Sequence, residues 1–162
     1  MLTFKVLPSD RPPASELLEA MVAETSDLYG GRIDAGGLPT AAPSELAAPH
    51  GAFLVGFDDG EPVCSGGVKR LGDGVAEIKR MYVAPEARSR GLGRALLAAL
   101  EDAARDLGYT RVRLDTGALQ PGARSLYERS GYRVIADYTG NPYAAFWGEK
   151  DLAGPARGGA SG

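Results

Sequence analysis

The chain has 162 residues, 44% of them hydrophobic and 24% charged, with a net charge of −3. These values suit one soluble domain with a real core and exclude multidomain machinery, fibre and disorder. A single Cys and a single His exclude an intramolecular disulfide, a Cys/His zinc cluster and a two-histidine metal site within one chain, so no metal is expected, and they fit a reducing cytoplasm.

Residues 2–7 are predicted as a first strand, ended by Pro8 and the Asp10-Arg11-Pro12-Pro13 break. Ser15 is placed as the cap of a helix to about Leu28, with Leu17, Leu18, Met21, Val22 and Leu28 on its apolar face and Gly30-Gly31 as its stop. From Gly30 to Pro49 the composition turns to Gly, Pro, Ala and Thr, a long loop with one helical turn near residues 44–48. Strands over 52–57 and 62–71 follow, joined by the hairpin signal Asp58-Asp59-Gly60, and Gly72-Asp73-Gly74 leads into a third over 75–83. This third strand does not alternate, because Glu77, Lys79 and Met81 share a face with Val75 and Val83. A bulge that re-aims one half would repair the pattern, and bulges commonly sit beside active sites.

Pro85 ends that strand, and a helix starts near Gly91 with Leu92, Ala95, Leu96, Ala99, Leu100, Ala104 and Leu107 at steps of three and four. Gly108 closes it. A strand over 111–115, a helix from Pro121 or Gly122 to Gly131, and strands over 132–136 and 144–150 complete an α/β domain with a mixed sheet over residues 1–152. The tail from Ala153 is expected to be disordered. The longest aliphatic run, residues 95–100, falls far short of the ~20 residues a membrane helix needs, and Lys5, Pro8 and Asp10 interrupt any signal-peptide core. No membrane partner is expected.

Charge is distributed unevenly. Residues 78–113 carry eight Lys/Arg against four acids, a net +4, whereas residues 1–77 carry five bases against twelve acids, a net −7. A basic centre suggests an anionic ligand. Within it, Arg88-x-x-Gly91-x-Gly93 follows a strand and opens a long helix. The glycines permit a sharp turn and close approach, the first helical N–H groups point outward, and Arg88, Ser89, Arg90, Leu92 and Arg94 complete the turn, with the arginines offering charge to phosphate oxygens. A dinucleotide fingerprint would need a third glycine where Leu96 stands, and a phosphate loop ending in Gly-Lys-Ser/Thr is absent.

The full pattern Val83-x-Pro85-x-x-Arg88-x-x-Gly91-Leu92-Gly93-x-x-Leu96-Leu97 resembles the acetyl-CoA signature of the GNAT acyltransferase superfamily. Downstream, Ala123-Arg-Ser-Leu-Tyr127-Glu-Arg-Ser-Gly131-Tyr132 resembles that family's second motif, a tyrosine-bearing helix followed by Gly-aromatic. The resemblance implies a GNAT-like, mostly antiparallel mixed sheet of about seven strands flanked by helices. It also implies acetyl-CoA in a notch between the 75–83 and 111–115 strands, its pyrophosphate over residues 88–94 and its pantetheine along Met81, Tyr82 and Val83. Many relatives carry an asparagine before the second motif; this chain has Thr116-Gly-Ala-Leu-Gln-Pro121 there, with Gln120 as the substitute.

The implied activity is transfer of acetyl from acetyl-CoA to a primary amine in a ternary complex. The alternative is a non-catalytic acyl-CoA sensor or protein-interaction module on the same fold. An alkylamine of pKa near ~10 must lose a proton before attack. Glu77 occupies the place where several relatives carry a general base; it reads equally as an exposed strand residue paired with Lys79 or Arg80, and Asp115 is a second candidate. Tyr127 suits the acid that protonates the departing thiolate, or a core tyrosine on the face of Ala123 and Leu126. A backbone N–H freed by a bulge near Met81 would meet the oxyanion. Cys64 reads as a buried thiol, His50 as a loop histidine, and Phe146 and Trp147 as core. Seven acids and one base over residues 24–61 favour a cationic amine as partner. Nucleic acid is disfavoured by the net acidity, and the molecule is expected as a monomer or homodimer in the cytoplasm.

Overall fold

The computed structural model describes residues 1–30, 41–117, 119 and 121–152; the tail from Ala153 and Gln120 lie outside these residues. Strands β1 (Leu2–Val6), β2 (Ala52–Asp58), β3 (Glu61–Gly72), β4 (Val75–Val83), β5 (Arg111–Gly117), β6 (Arg133–Val134) and β7 (Ala144–Asp151) form one sheet in the order β1-β2-β3-β4-β5-β7-β6. Helices α1 (Ala14–Tyr29), α2 (Leu92–Asp106) and α3 (Pro121–Arg129) flank it. Among the described strands only the β4–β5 pairing is parallel. The mixed, mostly antiparallel sheet of seven strands matches the expected fold class. No helix among the described residues is long and apolar enough to cross a membrane.

Two apolar clusters cover the two faces of the sheet. On one, Leu96, Leu97 and Leu100 of α2 pack with Val68, Ala76, Ile78, Val112 and Leu114. On the other, Leu17, Met21 and Val22 of α1 pack with Phe53, Val55 and Tyr82. Leu54 belongs to the first cluster and its neighbours Phe53 and Val55 to the second, which is the period-2 signature of a strand buried on both faces. Leu28, expected on the packed stripe of α1, is 45% exposed. Ser15 does not cap α1: the helix starts two residues earlier than that cap implies, at Ala14 with Pro13 at its N-cap, because a proline ring pre-sets the backbone torsion that opens a helix. The strand expected over 132–136 shortens to β6 because the Tyr132 N–H is drawn back to the Tyr127 carbonyl of α3 at 3.1 Å.

β4 carries the bulge. Gly67 of β3 faces Lys79 and Ser65 faces Tyr82, so Gly66 opposes two residues, Arg80 and Met81. Arg80 takes φ 63°, in the left-handed region. Ala76 and Ile78 before the bulge and Met81 and Val83 after it pack on the α2 side, and Tyr82 turns to the α1 side. The alternation is thereby repaired. A Cβ on Gly66 would stand 2.8 Å from Leu100 Cδ1, so α2 lies directly over the bulge and holds it. Beyond Glu77, β4 and β5 part: their register covers only Val75–Arg111, Ala76–Val112 and Glu77–Arg113.

A buried polar tie joins α2 to β7 and to the residue before β6. The Tyr132 hydroxyl donates to Glu101 Oε2 at 2.8 Å and Lys150 Nζ lies 3.0 Å from Glu101 Oε1, with Glu101 6% exposed. Hydrogen bonds to a buried charged group contribute about 1.5–3 kcal/mol. Tyr132→Phe is therefore expected to lower unfolding stability by about 2 kcal/mol in urea titrations, with the slope of the transition unchanged.

Candidate active site

Where β4 and β5 part, a cavity of about 630 Å³ opens, walled by Met81–Val83 on one side and Asp115–Gly117 on the other. Its ends are closed by the turn before α2, by α3 and by the last turns of α1. The Ala84 N–H donates to the Val63 carbonyl of β3 at 2.8 Å. Because successive residues of a strand turn their N–H and C=O groups to opposite sides, Val83 and Met81 face away from β3 and toward the opening. The Val83 carbonyl there accepts from Arg88 Nε at 2.9 Å.

The turn has the geometry of an anion cradle built mainly of backbone. Ser89 and Gly91 both take positive φ, 67° and 75°, and Gly91 stands at the N-cap of α2 with no side-chain cap. A Cβ built on Gly91 meets nothing within 4 Å. The first N–H groups of this 15-residue helix are thus left to a ligand.

Of the ten residues that the sequence assigned to the cosubstrate, Met81, Tyr82, Val83, Arg88, Ser89, Gly91, Leu92 and Gly93 line the cavity. Arg90 and Arg94 do not. Arg90 is drawn to Asp58 of β2 at 3.1 Å, and Arg94 is exposed on the first turn of α2 outside the lining. Arg88 does line it, but its guanidinium is forked by Glu24 of α1 at 2.7 and 2.9 Å. It ties α1 to the end of β4 as well as adding charge.

Tyr127 is 6% exposed, stacks on Phe146 and lines the cavity, so it is both a core residue and a wall of the site. Its hydroxyl faces Met81 Sδ at 3.6 Å, a weak acceptor. Burial, with a smaller contribution from the Asp115 charge, pushes the phenol well above its ordinary range and keeps its proton on. Asp115 also lines the cavity, and its Oδ2 accepts from Thr139 Oγ1 at 2.8 Å. The same hydroxyl oxygen accepts from Trp147 Nε1 at 3.1 Å and the Asn141 N–H at 3.2 Å. With its lone pairs engaged, its hydrogen goes to Asp115, the nearer of two carboxylates, since Asp137 Oδ1 stands 3.5 Å away. Trp147 is half-buried and Phe146 fully so.

Glu77 lies outside the cavity lining. It is 4% exposed, accepts from the Tyr138 hydroxyl at 2.8 Å and lies 3.7 Å from Lys79 Nζ. Cys64 is fully buried, and burial raises its thiol to about 11. His50 is exposed and offers its carbonyl to Tyr109 at 2.6 Å. The acids expected to favour a cationic acceptor are largely engaged elsewhere: Glu24 with Arg88, Glu45 with Lys69, Asp58 with Arg90 and Asp59 with the N-terminus. Sequence reasoning counted Glu24 only among the acids facing an acceptor and not as the partner of Arg88, and it missed Tyr138 and Thr139. The last two lie in an irregular segment without periodicity, so no local signal could have found them.

The chain matches the model of the Acetyltransferase (GNAT) family over residues 18–132. It is 39% identical over 88 residues to an IAA acetyltransferase of Azospirillum brasilense, a match covering 54% of this chain and 58% of that protein. A crystal structure of a putative acyl-CoA N-acyltransferase from Klebsiella pneumoniae superposes with a TM-score of 0.73 at 31% identity, covering 94% of this chain and 98% of that one. A paia N-acetyltransferase from Thermoplasma acidophilum, solved in complex with coenzyme A, shares the fold with a TM-score of 0.67 at 19% identity over 93% of this chain and 99% of that one.

The open space at Gly91 generates a direct test. Gly91→Asp is expected to cost only about 1–2 kcal/mol of stability from its left-handed backbone, yet to abolish CoA binding in calorimetry by placing a carboxylate at the mouth of the cradle.

Proposed function

The chain belongs to the GNAT acetyltransferase family and is an acyltransferase, and on that premise we propose that it moves acetyl from acetyl-CoA to a primary amine by direct attack. One observation carries this reading: β4 and β5 part after three paired residues. The opening has a helix N-terminus at one end and Tyr127 and Asp115 in its walls. That arrangement suits a long ligand with an anionic end and a reactive end. Met81 and the Val83 N–H, turned away from β3, present strand edge for a pantetheine arm, while the Val83 carbonyl is held by Arg88 Nε; an N–H at the bulge suits the oxyanion of a tetrahedral intermediate. The sole cysteine is buried with its thiol raised, which supports attack by the amine itself rather than through an acyl-enzyme.

In this mechanism Asp115 takes the proton of the incoming ammonium, because it lines the cavity and Glu77 does not. Thr139 orients Asp115. Glu77 holds the Tyr138 hydroxyl and is a positioning residue. Amine nitrogen bonds to the thioester carbon, the carbon–sulfur bond breaks, and Tyr127 hands its proton to the sulfur. The nitrogen gives up two protons in all: the first passes through Asp115 to solvent, and the second restores the Tyr127 hydroxyl, which accounts for the proton of the thiol formed.

Asp115→Asn is expected to lower kcat about 10²-fold with CoA affinity unchanged, whereas Glu77→Gln stays within about 3-fold of the parent. Steady-state CoA release beside CoA calorimetry checks both, and the opposite ranking would move the base to Glu77. Tyr127→Phe keeps the ring packing, so near-normal melting with a slower single-turnover rate is expected at saturating amine. A lowered melting temperature with an unaltered rate would make the tyrosine purely structural.

A further inference from the structure

Asp115 is held from behind by two residues that stand outside the cavity lining, Thr139 and Trp147. The Thr139 hydroxyl donates to Asp115 Oδ2 at 2.8 Å and accepts from Trp147 Nε1 at 3.1 Å. Asp115 and Trp147 are also direct cross-strand partners in the β5–β7 register, so Thr139 links two residues that the sheet already sets opposite each other. A threonine hydroxyl rotates and a carboxylate turns easily about its terminal torsion, so one bond between them would by itself fix neither. Here the hydroxyl is fixed by what it accepts. The Trp147 indole N–H and the Asn141 backbone N–H, the latter at 3.2 Å, can only donate, and they turn the hydrogen away from themselves. The other carboxylate in reach, Asp137, has its Oδ1 taken by the Thr139 and Gly140 N–H groups at 2.9 and 2.8 Å. The hydrogen therefore goes to Asp115, and both bonds of the link run from indole to carboxylate.

We propose that Trp147 is a positioning residue for the reaction: through the Thr139 hydroxyl it holds Asp115 by Oδ2 and leaves Oδ1 to take the proton of the acceptor's ammonium. This rests on the acetyltransferase reading above and deepens it. A carboxyl group bonded at Oδ2 keeps that bond whether or not Oδ1 carries a proton, because a carbonyl-type oxygen still accepts. The proton passes from the ammonium nitrogen to Oδ1 and on to solvent without the link being remade. Loss of either donor frees the carboxylate to turn, and a reacting group misplaced by about 1 Å costs up to ~10²-fold in rate.

Trp147 is the chain's one tryptophan, so its indole N–H gives a single resonance in isotope-labelled protein and reads the link without any substrate. In Thr139→Val that proton should exchange with water at least about tenfold faster than in the parent, whereas Thr139→Ser, which keeps the hydroxyl, should match the parent. Asp115→Asn should shift the same resonance, because a charged acceptor at the end of a chain polarises the bonds before it. Kinetics then separate positioning from packing. With acetyl-CoA and the best used of n-butylamine, tyramine and spermidine at saturation, Thr139→Val should lower kcat about tenfold and Trp147→Phe about 5-fold, each with the KM for acetyl-CoA unchanged. Trp147→Phe added to Thr139→Val should cost less than about 2-fold more, since the indole acts through the hydroxyl. Thr139→Ala serves as the second variant should valine unsettle the loop. An indole proton indifferent to loss of the hydroxyl, a Trp147→Phe kcat equal to the parent's, or full additivity of the two substitutions would overturn the inference. No CoA release with any of the three amines while the indole pattern holds would instead overturn the amine-transfer reading.

Discussion

The site depends on one departure from regular pairing, the extra residue on β4 opposite Gly66. A strand that kept its register would carry Met81 and Val83 to the α1 face and could continue its parallel ladder with β5. The bulge instead bends the strand and increases its local twist. It also returns Met81 and Val83 to the α2 face. Pairing with β5 ends at Glu77, and strand edge that a sheet would normally consume is left facing a cavity. α2 fixes this arrangement from above, because the Leu100 side chain leaves no room for a Cβ at Gly66.

Charge in this half of the molecule is mostly spent on construction. Arg88 clamps α1 and the end of β4, Arg90 clamps β2, and Arg113 with Arg133 holds Glu149. In the proposed reading anion binding falls to backbone N–H groups at the start of α2, which need no counterion in the empty protein and lose no side-chain entropy when a ligand arrives. In the proposed mechanism the chemistry falls to two groups whose surroundings suit those roles. Burial keeps the Tyr127 proton in place, and a hydroxyl whose own acceptors are occupied aims at Asp115.

Much of this was legible in the residues because the signals were local. Gly30, Gly60, Gly74 and Gly91 all take the positive φ that their place in turns and caps implied. The broken alternation of residues 75–83 located the bulge, since an apolar pattern that fails over a long strand leaves few other repairs. What stayed hidden was non-local. Nothing in Arg90 itself tells that Asp58, thirty-two residues earlier, will draw it off. Glu77 looked like the reacting carboxylate by its position on β4, but its burial beneath Tyr138 depends on a loop sixty-one residues away. The Thr139 link to Asp115 spans two segments whose meeting follows from the β5–β7 register.

Residue-resolved amide hydrogen exchange across β4, with and without saturating CoA, tests most directly whether the exposed edge is the cosubstrate's seat. The account predicts that the Met81 and Val83 amides exchange rapidly in the free protein and slow on CoA binding, while Tyr82 and Ala84, already turned toward β3, change little. CoA bound with Met81 and Val83 unaltered would contradict it.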